Sequence, residues 1–185
     1  MMVRRNTLRG LAVMAVCALG FIPALARAQS PLALRLGMYG GSTYNSRELA
    51  DNKGFHVGLQ YNLSGVPHVL NGEAWSTNIS VDYYHPFTDQ ANRFHMVPVA
   101  INQIYTFEEQ NGKTPYLGFS LIAATFKSNM VTPNQDWVTR VGGGIILGLN
   151  LNEKMFVEGR YEVYDKSGLD FGGPDGFRAT FGLRF

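Results

Sequence analysis

The sequence predicts an all-β protein, a closed antiparallel up-and-down transmembrane β-barrel of about eight strands. Three observations carry that prediction. Apolar and polar residues alternate with period two in eight segments, as strands with unlike faces require. No run of about 20 apolar residues follows position 30, so helical spans are excluded there. Long and short connections also tend to take turns along the chain, as they do between the two ends of an outer-membrane barrel.

Residues 1–28 read as a cleaved signal peptide and residues 29–185 as the barrel domain. Arg4, Arg5 and Arg9 form a positive start, Leu11 to Leu25 is a short apolar run, and Ala26-Arg27-Ala28 is a small–x–small cleavage pattern. An uncleaved anchor helix is the weaker reading, because the run is too short. Cys17 follows Val16 rather than a small residue, which argues against lipoprotein processing. Cleavage removes four Arg and no acid, so the formal charge of +2 becomes −2 for the remaining 157 of 185 residues. The basic balance thus belongs to the leader and gives no argument for nucleic acid. The single cysteine leaves with it, and with it any disulfide, thiolate chemistry or cysteine-ligated zinc.

The strands follow in order. In the first, Leu32, Leu34, Leu36 and Met38 oppose Arg35, Gly37 and Tyr39. The second is the cleanest: Phe55, Val57, Leu59, Tyr61 and Leu63 alternate with His56, Gly58, Gln60 and Asn62. No helix presents such a pattern as one face. In the third, Trp75, Thr77, Ile79, Val81 and Tyr83 oppose Ser76, Asn78, Ser80, Asp82 and Tyr84. The fourth places Val97, Val99, Ile101, Tyr105 and Phe107 on one face, with Gln103 an exception. The fifth sets Leu117, Phe119, Leu121 and Ala123 against Tyr116, Gly118 and Ser120, with Ile122 interrupting the polar side. The sixth sets Val141, Ile145, Leu147 and Leu149 against Arg140, Gly142, Gly144, Gly148 and Asn150. The seventh sets Met155, Val157, Tyr161 and Val163 against Glu158, Arg160 and Glu162. The eighth alternates Phe177, Ala179, Phe181, Leu183 and Phe185 with Arg178, Thr180, Gly182 and Arg184.

The first, third, fifth and seventh connections are long, the fourth and sixth are short, and the second is of moderate length. Pro98 lies within the fourth segment, where it cannot donate to a ladder, and predicts a bulge or a strand paired only after it. Pro115 begins its strand and costs nothing.

Alternation alone does not say which face is outside, since a lipocalin-like soluble barrel has the same period with an apolar interior. Two features put the apolar face in lipid. Tyr61, Trp75, Tyr105, Phe107 and Phe185 fall near one rim, and Phe55, Tyr83, Trp137 and Phe177 near the other, as two interfacial girdles would. The opposite face carries mixed charges: Asp82, Glu158 and Glu162 with Arg35, Arg140, Arg160, Arg178 and Arg184. In a lumen that side chains fill, these groups are expected to satisfy one another; on a soluble surface they would be an ordinary solvated pattern. Glu162 and Arg178 in particular are expected to meet, with the strands registered so that the two pair.

The ending Arg178-Ala179-Thr180-Phe181-Gly182-Leu183-Arg184-Phe185 resembles the C-terminal assembly signal of outer-membrane barrels, a terminal aromatic after alternating apolar residues. In architecture the chain resembles the eight-stranded OmpA-like and OmpX-like barrels. The resemblance implies the bacterial outer membrane as location, with outer-membrane lipid, lipopolysaccharide and the barrel-assembly machinery as partners. It assigns Phe181, Leu183 and Phe185 to the assembly signal.

Catalysis finds little support. The lipid A 3-O-deacylase family, also eight-stranded barrels, implies a Ser and a His two residues apart near the end of the penultimate strand. The comparable stretch here is Val163-Tyr164-Asp165-Lys166, and no catalytic residue carries over. His56, His68, His85 and His95 show no metal-binding spacing, so no metal and no cofactor are expected. Asp82 and His85 lie close in sequence near one rim and read as a lumen acid and a loop imidazole. Gly142-Gly143-Gly144 lacks the Lys of a phosphate loop and suits curvature or close packing in a barrel wall. The expected role is a structural or surface-interaction barrel with exposed loops and a filled lumen. The alternative is a narrow transport barrel or a lipid-modifying enzyme.

Overall fold

The computed structural model describes residues 31–42, 53–63, 74–87, 94–127, 137–166 and 174–185. The expected signal peptide and cleavage site, and His68, lie outside them. Eight strands appear in the order β1 (Leu32–Gly41), β2 (Lys53–Leu63), β3 (Trp75–Pro86), β4 (His95–Thr106), β5 (Thr114–Lys127), β6 (Val138–Asn150), β7 (Met155–Tyr164) and β8 (Gly176–Arg184). Each pairs antiparallel with its neighbours in sequence, and β1 pairs with β8, so the sheet closes. Closure leaves no strand edge unpaired, the condition for backbone to cross lipid.

The rim where β1 begins and β8 ends is here the proximal rim; the other is distal. The proximal connections include two tight ones. Between β4 and β5, Gln110 and Lys113 exchange backbone hydrogen bonds of 2.8 and 3.1 Å around Asn111-Gly112. Both central residues have positive φ, 55° and 75°, as the two-residue hairpin turn that suits strand twist requires. Between β6 and β7, the Asn152 side chain accepts from the backbone N–H groups of Lys154 and Met155 at 2.9 and 2.8 Å. At the distal rim, Asp175 ties β7 to β8: it accepts from the Tyr164 N–H at 2.9 Å and from the Lys166 ammonium at 2.7 Å. That contact pushes the Lys166 pKa above its ordinary value.

Pro98 does not shift the register. Val81 pairs with Val99 and Tyr84 with Met96 in one continuous register, and only the ladder between them is interrupted. Pro98 keeps its partner Ala124 on β5. The missing donor therefore faces β3, and a local gap there replaces the expected bulge.

The faces are as the period-two pattern assigns them. Leu36, Val57, Leu59, Val81, Val99, Leu121, Ile145 and Leu147 are exposed on the outer wall, and Arg35, Asp82, Glu158, Arg160, Glu162 and Arg178 are buried inside. Gln103 points outward by parity yet is only 4% exposed. Its amide donates to the Thr77 hydroxyl at 2.5 Å, and the rings of Trp75 and Phe119, on the strands to either side, approach to 6.3 Å. The exception is thus a polar pair beneath an aromatic cover, with the Gln103 Nε2 bonded and its Oε1 left without a partner.

The interior is more apolar than the polar face suggested. Tyr39, Tyr84, Met96, Ile122, Phe126 and Tyr164 belong to one buried cluster toward the distal rim. Ala33, Ile104, Tyr116, Ile146 and Phe156 form another toward the proximal rim. Ile122 thus belongs to the core rather than interrupting it. Gly142 and Gly144 face this interior, where a Cβ at Gly144 would lie 2.9 Å from both the Ser120 hydroxyl and the Tyr161 carbonyl. Gly143 faces outward with a single contact at 3.4 Å.

Candidate functional site

Between the two apolar clusters lies a chain of alternating charges contributed by four strands. Arg178 on β8 reaches both Glu162 on β7 and Asp82 on β3, the latter at 2.5 Å. Asp82 also meets Arg35 on β1 at 3.4 Å, and Arg35 donates to Glu158 at 2.9 Å. Glu158 then accepts from Arg160, which donates to Asn102 at 2.9 Å. Three guanidinium groups thus alternate with three carboxylates, and the set is formally neutral.

Neutral groups complete the shell. Asn102 donates to Asn78 and Ser80 at 2.7 and 3.2 Å. Tyr164 donates to Glu162 at 3.0 Å and Tyr116 to Glu158 at 3.2 Å. His56 lies 3.5 Å from Asp82 and 3.1 Å from the Thr180 hydroxyl. Burying six ions is costly unless each is paired and hydrogen-bonded; here every ion has an oppositely charged partner, while Arg35 Nε, Arg160 Nη2 and Arg178 Nε are buried without a hydrogen-bond acceptor.

Glycine makes room for interior side chains beside Arg35. Arg35 stands opposite Gly58 on β2 and Gly182 on β8, and Gly58 stands opposite Asp82. A Cβ at Gly58 would overlap the Asp82 carboxylate. The Asp82 carboxylate therefore occupies volume that a side chain at position 58 would fill, and the Phe156 ring does the same at Gly182.

Glu162 and Arg178 meet, but not through the expected register. Glu162 pairs across the ladder with Gly176, and Arg178 stands opposite Arg160. The ion pair is diagonal. Two like charges directly opposite each other would destabilise the sheet; here each leans to a carboxylate two residues along β7.

Two expected members lie outside this chain. Arg140 faces the distal mouth and donates to the Thr139 carbonyl at 3.0 Å. Arg184 lies at the proximal mouth, where it donates to Asn150 at 2.6 Å and sits 4.8 Å from the centre of the Phe156 ring. Both point inward by parity, but each is too near a strand end to reach the central acids. His56, Asn78, Ser80, Asn102, Tyr116, Tyr164 and Thr180 were not singled out from sequence. All lie on the polar face by parity, and that was the signal available.

Asp82 and His85 do not converge. Asp82 lies in the lumen, whereas His85 is on the outer wall against Phe55, with ring centroids 5.4 Å apart. Their odd spacing places them on opposite faces of β3. Among the described residues no cluster of His, Cys, Asp or Glu has the makings of a metal site. Phe181, Leu183 and Phe185 all face outward near the proximal rim, where the Phe185 N–H donates to the Leu32 carbonyl at 3.2 Å.

The proximal end of the lumen holds a cavity of about 280 Å³, lined by Gln60, Asn62, Asn78, Thr106, Asn150 and Arg184. Glu158 and Tyr116 also line it. Beyond them the ion chain and the distal cluster fill the barrel.

A family model described as the outer membrane protein beta-barrel domain matches residues 11–185. Among curated proteins no sequence matches the chain. Among solved structures, Neisserial surface protein A is similar at a TM-score of 0.56 and 15% identity, covering 86% of this chain and 100% of its own. The outer-membrane enzyme PagL is similar at 0.57 and 13% identity, covering 83% of this chain and 99% of its own. At such identities these likenesses speak for the fold.

Proposed function

The chain belongs to the outer membrane protein beta-barrel domain family and is an eight-stranded bacterial outer-membrane barrel; from that premise we propose that it is a structural and surface-interacting barrel with a closed lumen. Short proximal turns then face the periplasm and the longer distal connections face outward. The observation that carries this reading is the alternating ion chain, in which the side chains of Arg35, Asp82, Glu158, Arg160, Glu162 and Arg178 are at most 2% exposed. With an apolar cluster on either side, it leaves no continuous aqueous path. Purified protein in planar bilayers is expected to show no discrete conductance steps. Steps of uniform size that persist across preparations would favour the transport alternative.

The lipid-modifying alternative requires a nucleophile and base at the outer rim. Val163-Tyr164-Asp165-Lys166 supplies neither Ser nor His. An altered lipid A mass profile in a deletion strain would restore that alternative.

The proposed partner of the last strand is the barrel-assembly machinery, reading Phe181, Leu183 and Phe185. One interfacial aromatic contributes only about 1–3 kcal/mol by burial. Deleting Phe185 is therefore expected to lower membrane-inserted protein in cells far more than it lowers the stability of refolded barrel in detergent. Equal, small effects in both assays would remove the assembly role.

A further inference from the structure

The proximal end of the lumen is a cup with a filled floor. Its cavity of about 280 Å³ reaches inward as far as Glu158. That carboxylate is already engaged by Arg35, Arg160 and Tyr116, and the ion chain closes the barrel beyond it. Two groups in the lining are not used up by that chain.

The first is Arg184. It donates to the Asn150 side chain at 2.6 Å and to the Glu153 carbonyl at 3.3 Å, and its guanidinium lies 4.8 Å from the centre of the Phe156 ring. All three partners are uncharged. Among the described residues no carboxylate forms an ion pair with Arg184. The ions of the chain cancel one another, so the cup keeps an uncompensated positive charge.

The second is the Asn78 amide, which is only 5% exposed. The Arg160 guanidinium can only donate, so Asn102 accepts from it through Oδ1 and donates through Nδ2 to the Asn78 Oδ1 at 2.7 Å. This sets the orientation of the Asn78 amide. Its Nδ2 has no acceptor among the described residues, and the side chain lines the cavity. Asn62, Ser76 and Thr106 add further amide and hydroxyl groups, and Leu63, Ile104 and Tyr116 add apolar surface.

We propose that this cup binds a small hydroxylated carboxylate, a sugar acid of a single ring. A guanidinium has five N–H donors, so Arg184 keeps donors for a carboxylate beyond its two present bonds. The Asn78 Nδ2 supplies a neutral donor from another wall. Amides and hydroxyls, which both donate and accept, match a ring of hydroxyl groups, and the apolar surface takes its C–H face. The volume lies at the small end of ligand sites, about 300–1,000 Å³, and suits one ring rather than a chain. A single unpaired cation suits a monoanion better than a phosphate ester, which carries about −1.5 to −2 charges at neutral pH. Because the floor is filled, the solute is held and not passed. That the cup opens to the periplasm follows from the orientation proposed above; the binding itself does not depend on it.

Purified barrel in detergent is titrated by isothermal titration calorimetry with glucuronate, galacturonate and N-acetylmuramate. Glucose, glucose 6-phosphate and acetate are the comparison probes. At least one sugar acid is expected to saturate a single site, with all three comparison probes at least tenfold weaker. Arg184→Gln is expected to weaken that binding about tenfold or more, the scale of a hydrogen bond to a charged group, and Asn78→Ala about fivefold. Arg140→Gln, which removes a cation at the opposite mouth, is expected to bind as wild type. No saturable binding by any sugar acid would overturn the proposal. So would acetate, glucose or glucose 6-phosphate binding as tightly, or an equal loss in Arg140→Gln. Heat-modifiable gel mobility reports whether each variant is assembled, and Asn78→Ala carries the test should Arg184→Gln fail to assemble.

Discussion

Replacing Arg178 with Gln is expected to destabilise the barrel by about 3–5 kcal/mol, the cost of breaking a buried ion pair by removing one partner. Arg178 holds both Asp82 and Glu162, and the three side chains are at most 1% exposed. Its loss leaves Glu162 with the Tyr164 hydroxyl, and Asp82 with a longer contact to Arg35 and the His56 ring. Glu162→Gln is expected to cost less, because Arg178 keeps Asp82 and the amide still accepts hydrogen bonds. A double-mutant cycle of the two substitutions isolates their coupling. Urea unfolding in lipid vesicles reads both numbers. An Arg178→Gln effect below about 1 kcal/mol would place the pair in a wet mouth, where such contacts are weak.

Val57→Arg is expected to cost about 2–4 kcal/mol, the penalty of a cation on the lipid face near the bilayer midplane. Val57 is 38% exposed on the outer wall, near the middle of β2, so its replacement cannot easily reach a headgroup layer. Gln60, three residues on, points into the proximal cavity and donates to Asn62 at 3.2 Å. Gln60→Leu removes that bond and is expected to cost about 1 kcal/mol, the net scale of one hydrogen bond. The contrast is read by unfolding both variants in bilayers. A neutral Val57→Arg beside an unfolding Gln60→Leu would turn the barrel inside out.

What was legible in the sequence was local. The alternation from Phe55 to Leu63 reports a strand because successive side chains of an extended backbone must point to opposite faces. The same parity separates Asp82 from His85. Less legible was what the interior face would do once closed. Tyr39, Tyr84, Tyr116 and Tyr164 all lie on the polar face by parity, yet in the structure their rings belong to apolar clusters capping the ion chain. A tyrosine presents an apolar body and a polar tip, and only its neighbours decide which is used. Pro98 is a related case: its lost donor is visible in the sequence, but the neighbouring strand that donor faces, and so which ladder is interrupted, is set by the closed sheet.

The sequence by itself determined the strand count, the face of each residue and the lipid-facing belt, because these follow from backbone geometry and from the cost of exposing polar groups to hydrocarbon. Only the tertiary structure decided who meets whom across the lumen. Glu162 lies opposite Gly176 rather than Arg178, and Arg35, Asp82 and Glu158 come together from β1, β3 and β7. Those contacts depend on register, and register is fixed by closing all eight ladders at once. A shift of two residues keeps every side chain on its own face, so it leaves the hydrophobic pattern unchanged while exchanging every partner. Arg140 and Arg184 show the consequence: their parity is that of the network, but their height on the strand is that of the mouths.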